Sequence, residues 1–167
     1  NSELGVELER RRFGQLDRTW SGPEFNRLLG KAMAENRDDF ILALYLGRYA
    51  GFRIHECFRM DTAAAEQALR ENALTVKGKG GKVRTVPIED ERILMMLRKL
   101  LAQTERGHKL LVPDGMPTDR AINALELFIY RHRNEISDEG SDRRLTFHGL
   151  RHTYAAEKYT RLTEDGM

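Results

Sequence analysis

The chain has 167 residues, enough for one domain with a real core and too few for two comfortable ones. Its 28 basic and 26 acidic side chains nearly cancel, so net charge by itself announces no nucleic-acid partner. One cysteine, Cys57, excludes an internal disulfide, and no apolar run reaches membrane-spanning length.

A DNA surface on such a chain has to come from segregated charge. Arg131, Arg133, Arg143, Arg144 and Arg151 in the C-terminal third fit that, and they fit ordinary solvated helix surface equally well. Cys57 lies in apolar company and reads as a buried structural thiol in a reducing, cytoplasmic setting. Neither end carries a signal or terminal signature, and the chain is expected to be an excised fragment.

Residues 1–20 are polar and arginine-rich, with Phe13 and Trp20 as the large apolar groups, and read as a linker or trimmed junction. A domain is expected over 21–167. Ser21-Gly22-Pro23-Glu24 is a capping box that starts a helix, with Phe25, Leu28, Leu29 and Ala32 on one stripe. Asn36 ends it, and Asp38 or Asp39 opens a second helix. Phe40 to Leu46 are apolar nearly all round, which predicts burial on most sides. That helix stops at Ala50-Gly51, leaving Arg53 in a tight turn directly after it.

A short helix is predicted over Ile54 to Met60, and another from Asp61-Thr62 toward Leu69. From Ala73 the period changes. Leu74 and Val76 alternate with polar neighbours, a glycine-lysine cluster follows, and Val83, Thr85, Val86 and Ile88 return. That pattern is a hairpin with a flexible tip, and Pro87 marks an edge or an end. Helices resume with Ile93, Leu97, Leu100 and Leu101, and again from about Thr118 with Ile122, Leu125 and Ile129. Leu110 to Pro113 between them is expected to be a short extended piece, and Ser137 to Arg144 a polar loop. The order gives a mostly helical α+β domain with a small antiparallel sheet.

The last helix carries the densest chemistry. His148, Arg151 and His152 are three and four residues apart and project from one helical face. Thr146 stands where an N-cap would, so that face lies at the positive end of the helix, where anions settle. A guanidinium, imidazoles and a helix N-terminus together describe a phosphate site. Docking is expected for the first two turns only, with a frayed end beyond Tyr159 and an apolar strip that favours self-association.

His148-x-x-Arg151-His152 resembles the second signature box of the tyrosine recombinases, the phage-integrase class of DNA strand-transfer enzymes. Ala50-Gly51-Phe52-Arg53-Ile54-His55-Glu56 is similar to their first box, and Val76 through Ile88 to their lysine hairpin. The resemblance implies a DNA breaking-rejoining fold and site-specific recombination or integration, in a phage or bacterial mobile element, acting on double-stranded DNA as a homo-oligomer. It implies no metal and no small-molecule cofactor. Arg53, Lys79, His148 and Arg151 take the catalytic roles: two guanidiniums on the phosphate, a lysine acid for the leaving 5′-oxygen, and an imidazole on a phosphate oxygen. Lys77, Lys82, Arg84 and His152 are assigned to DNA contact.

Each assignment has a plainer counterpart. Arg53 could pair locally with Glu56, the hairpin lysines could be a solvated turn, and His148 a satisfied core histidine. His152 could orient its neighbours instead of touching phosphate. The family's nucleophilic tyrosine lies two helices beyond the second box, and Tyr130, Tyr154 and Tyr159 read as core or surface tyrosines. The chain is therefore expected to hold the phosphate-activating residues without the nucleophile, and to be inactive by itself. His55 and Phe147 replace a small residue and a proline usual in the family, neither at a catalytic position. Two rival readings remain: a non-catalytic DNA-binding module that keeps the basic site, and a metal-dependent hydrolase built on His148 and His152.

Overall fold

A computed structural model describes residues 18–165, except the side chains of Lys79 and of residues 161–165. Seven helices and one hairpin follow in order: α1 (Gly22–Ala34), α2 (Asp38–Ala50), α3 (Ile54–Arg59), α4 (Thr62–Glu71), β1 (Ala73–Lys77), β2 (Val83–Pro87), α5 (Glu91–Gln103), α6 (Thr118–Ile136) and α7 (Phe147–Asp165). The mostly helical α+β architecture expected from the sequence is what forms.

α2 is the axis of the core. Every residue from Phe40 to Gly47 is buried, as its all-round apolar sequence requires, and α1, α3, α5 and α7 pack around it. α1 begins with the Ser21–Glu24 capping box, Glu24 Nα–H donating to Ser21 Oγ at 3.2 Å and Ser21 N–H to Glu24 Oε1 at 2.8 Å. α4 is capped by Asp61 and lies on α5 and β1, while α6 closes against α1 and α3. Cys57 is fully buried, and burial pushes its thiol well above the usual range, as befits a structural thiol.

The sheet is one antiparallel pair in the register Ala73↔Pro87 through Lys77↔Val83. Leu74 and Val76 of β1 face the core, whereas Val83 of β2 is 63% exposed, so β2 is the outer strand. Pro87, lacking an N–H, closes the ladder as expected.

Three expectations are corrected. Leu110 to Pro113 does not extend. Lys109 makes an isolated bridge to Asp61, Leu110 N–H donates to Met60 O at 3.0 Å, and the stretch then bends with Leu110 and Leu111 buried. The apolar side chains there fill core space, and among the described residues no strand ladders with them beyond the single Lys109–Asp61 bridge. α7 does not fray at Tyr159 but stays helical to Asp165. It holds good helix formers, no glycine or proline after Gly149, and a tie from Arg48 to Glu157 at 2.5 and 3.0 Å. Of the expected linker, residues 1–17 lie outside the described residues, but Trp20 is only 4% exposed and belongs to the core. Among the described residues no helix is long and apolar enough to cross a membrane.

Candidate active site

Two helix boundaries build the site. At the first, α2 ends on Gly51 in the left-handed conformation (φ +71°), whose N–H closes the helix onto Leu46 O. A Cβ at Gly51 would sit 2.4 Å from the ring of Tyr154, and one at Gly47 would sit 2.7 Å from the ring of Phe147. α7 is thus seated directly on the backbone of α2. Tyr154 is one turn beyond Arg151 and Gly51 two residues before Arg53, so this contact fixes the separation of the two arginines. Tyr154 is a packing residue.

Arg53 itself is the N-cap residue of α3. Its backbone N–H donates to Glu56 Oε1 at 2.8 Å. The Glu56 carboxylate, fully enclosed, also takes both Nη groups of Arg84, at 2.5 and 2.9 Å. Burial alone would raise the Glu56 pKa. The Arg84 fork and the Arg53 N–H outweigh it, and the carboxyl is held below its usual range. Among the described residues the Arg53 guanidinium has no ion pair, so the local Arg53–Glu56 side-chain bridge does not form. Arg84, assigned to DNA contact from the sequence, is occupied in tying β2 to the Arg53 turn.

At the second boundary, Thr146 caps α7 as its position suggests, accepting from Gly149 N–H at its hydroxyl (3.2 Å). His148 and His152 stand edge to face, ring centroids 4.7 Å apart. Nε2 of His152 is enclosed and meets no hydrogen-bond partner among the described residues. That placement suits an orienting role beside His148.

The electrostatics place these boundaries together. Burial lowers the pKa of His148, and the charges of His152, Arg151, Arg18 and Arg53 lower it further. Burial also lowers that of Arg151, with the Arg53 charge next, Glu56 opposing and Arg84 adding. His55 is depressed by burial in the same field, Arg53 and Arg151 contributing. Half-buried Arg53 and Arg151 and the more exposed His148 therefore share one cation-rich locus, with the Glu56 carboxylate acting on Arg151. Such a locus is complementary to an anion.

The hairpin flanks it. Gly78 N–H bonds Lys82 O at 2.7 Å, and Lys79–Gly81 form a single 3₁₀ turn with Gly80 and Gly81 at positive φ. The side chain of Lys79 lies outside the described residues. Lys82 is exposed, and Lys77 lines a groove of about 210 Å³ with Phe52, Glu56 and Arg59. His148 and His152 gather no third metal-ligating side chain among the described residues. The group that does have such spacing, Glu105, His108 and Asp114, is separate from them.

Comparison with known proteins identifies a family and a fold. A family model described as the phage integrase family matches residues 23–167. The integrase of mycobacterium phage Brujita superposes with a TM-score of 0.52 at 22% identity, over 72% of this chain and 37% of that one. The XerH site-specific recombinase, solved on its difH substrate in a pre-cleavage complex, gives 0.61 at 18% identity, over 86% and 44%. The chain thus spans less than half the length of either protein. No curated protein sequence matches it.

Proposed function

The chain belongs to the phage integrase family, the tyrosine recombinases, and on that premise we propose that it activates a DNA phosphodiester for strand transfer in site-specific recombination. In this reading Arg53 and Arg151 hold the two non-bridging oxygens of the scissile phosphate, where negative charge builds as the phosphorus becomes five-coordinate. Their planar forks suit that task, and each is worth about 3–4 kcal/mol of transition-state stabilisation. His148, kept neutral by its surroundings, donates a hydrogen bond to a phosphate oxygen. Lys79, at the hairpin tip, protonates the departing 5′-oxygen.

The attacking group in the parent reaction is a tyrosine. Its phenolic oxygen bonds to phosphorus, the P–O5′ bond breaks, and a 3′-phosphotyrosyl link and a free 5′-hydroxyl result. A 5′-hydroxyl of the partner strand then reverses the step. We assign that role to none of Tyr130, Tyr154 and Tyr159: Tyr154 is packed on Gly51, and Tyr130 is exposed on α6. The chain is therefore the charge-stabilising part of the machine, acting on double-stranded DNA and, in its parent, as a homo-oligomer.

What supports this reading is that Tyr154 packs on Gly51, which brings the Arg53 turn and the Arg151 helix together, and that the charges of Arg53 and Arg151 act on each other and on His148. The test is binding of duplex DNA by the 167-residue chain across a salt series, with strand cleavage assayed in parallel. Weak binding that falls steeply with salt is expected, flattened in slope by Arg53→Gln or Arg151→Gln, with no strand breakage. Variants that bind as the parent does would sink the phosphate assignment. Cleavage abolished by Tyr154→Phe or Tyr159→Phe would overturn the statement about the nucleophile.

A further inference from the structure

Ahead of α1, residues 18–20 cross the first turn of α7 as a clamped strap. Trp20 N–H donates to Thr153 Oγ1 at 2.9 Å, and its indole Nε1–H to Thr146 O at 2.8 Å. Arg143 Nη1 reaches Thr19 O at 3.2 Å, and Arg143 is itself bound to the buried Glu24 at 3.0 Å. Thr153 Oγ1 is anchored in turn, donating to Gly149 O at 2.9 Å. The approach is so close that a Cβ on Gly149 would lie 2.2 Å from Arg18 O and 3.0 Å from the indole nitrogen. A glycine between His148 and Leu150 is what lets the strap pass.

The strap delivers one charge. Arg18 is exposed, has no hydrogen bond or ion pair among the described residues, and acts electrostatically on His148. Loose surface arginines lose rotamer and chain freedom when they bind. Here the backbone is already fixed, so that part of the ordering cost is met before any ligand arrives. A guanidinium with no hydrogen-bond or ion-pair partner among the described residues, on a fixed backbone and acting on a locus that already holds Arg53 and Arg151, has an anionic complement in a phosphate of duplex DNA.

We propose that Arg18 is a further DNA-phosphate contact of this site, held beside His148 by the strap of residues 18–20. The inference rests on the DNA reading above, and it adds a residue outside the signature boxes. It also makes the strap a physical link between the segment that precedes Arg18 and the catalytic locus.

The experiment measures affinity of the 167-residue chain for a random-sequence duplex over a salt series, for the parent, Arg18→Gln, Arg18→Lys and Arg53→Gln. NMR titration of His148 is followed in the same proteins. Because Arg18 is exposed, its substitution leaves the fold intact. Arg18→Gln is expected to reduce the slope of log K against log salt by about one phosphate contact, and Arg18→Lys to retain it. The His148 midpoint should rise in Arg18→Gln and stay put in Arg18→Lys. A parental slope in Arg18→Gln, with a flattened slope in Arg53→Gln, would overturn the Arg18 contact and leave the site reading standing. Parental slopes in both would bring down the site reading itself, and this inference with it.

Discussion

The turn that carries Arg53 and the tip that carries Lys79 are proposed to serve one phosphate and are opposite in construction. Around Arg53 every constraint is doubled. Gly51 is pressed by Tyr154, Glu56 takes the Arg53 N–H, and Arg84 grips Glu56 with two bonds. Around Lys79, Gly80 and Gly81 have no atoms within 4 Å of where a Cβ would project, and β2 beside them is the outer strand. The difference follows from the chemistry each would serve. Groups that stabilise developing charge act best when fixed beforehand, because reorganising them during reaction wastes their field. A proton donor has to enter a groove and leave it again, so a glycine-rich tip suits it.

The two regions are joined, and the joint is Arg84. It is the second residue of the hairpin's return strand, yet its guanidinium ends on the carboxylate that accepts from the Arg53 N–H. A Cβ at Gly78 would lie 4.0 Å from Glu56 Oε2, so the base of the hairpin rests on the same pair. The root of the hairpin is thereby registered to Arg53.

The contrast predicts a graded set of responses. The largest is at Gly51. An alanine there has to hold φ near +71° and displace the Tyr154 ring. Left-handed strain and overpacking together should cost about 3 kcal/mol. Thermal or urea unfolding would read it, and the Arg53–Arg151 separation should widen even where the fold survives. A Gly51→Ala protein of parental stability would show that α7 is not seated on this backbone.

Next comes Glu56→Ala, which frees the Arg53 N–H and strips Arg84 of its partner. A broken buried pair costs several kcal/mol, but Arg84 is 38% exposed and can turn to water, so about 2–3 kcal/mol is expected. Hydrogen exchange should quicken at both the α3 start and β2. Exchange that quickens in α3 alone would break the claim that Arg84 registers the hairpin. At the tip, Gly81→Ala meets open space and only the left-handed penalty, about 1 kcal/mol. Loss of several kcal/mol there would mean that the tip is packed after all.

Much of this was legible in the residues. The capping box at Ser21, the all-apolar α2, the glycine stop before Arg53 and the Thr146 cap are local rules, and local rules survive folding. What escaped is long-range. Trp20 reads as linker because the residues before it are polar and arginine-rich; its ring stands edge-on to Phe25, and its hydrogen-bond partners are far away in sequence, Thr146 at the cap of the last helix and Thr153 within it. Leu110 and Leu111 carry the apolar pattern of a strand, but pattern alone does not say whether a ladder is available. Arg84 carries a signal of its own in the strand alternation. It pairs with Val76, and alternation puts it on the inward side with Val86, so a buried partner was to be expected.

The smallest effect concerns acid. His148 and His55 both titrate below the usual imidazole value, chiefly through burial. For a histidine whose folded pKa is lowered, the unfolded chain takes up protons first as pH falls. Stability is therefore undiminished above the unfolded pKa of about 6.5 and declines below it, until the folded histidines are themselves protonated. His108 is shifted the other way by Asp114, so its influence falls above that window. A shallow loss of stability on acidification from neutrality is expected, smaller in His148→Gln. Inorganic phosphate should oppose it, because an anion between Arg53 and Arg151 screens the field that keeps His148 neutral and raises its midpoint. Equilibrium unfolding across that pH range, with and without phosphate, reads both parts. A phosphate-induced rise in the His148 midpoint that survives in Arg53→Gln would mean that the anion sits elsewhere, and that the rigid turn is not its seat.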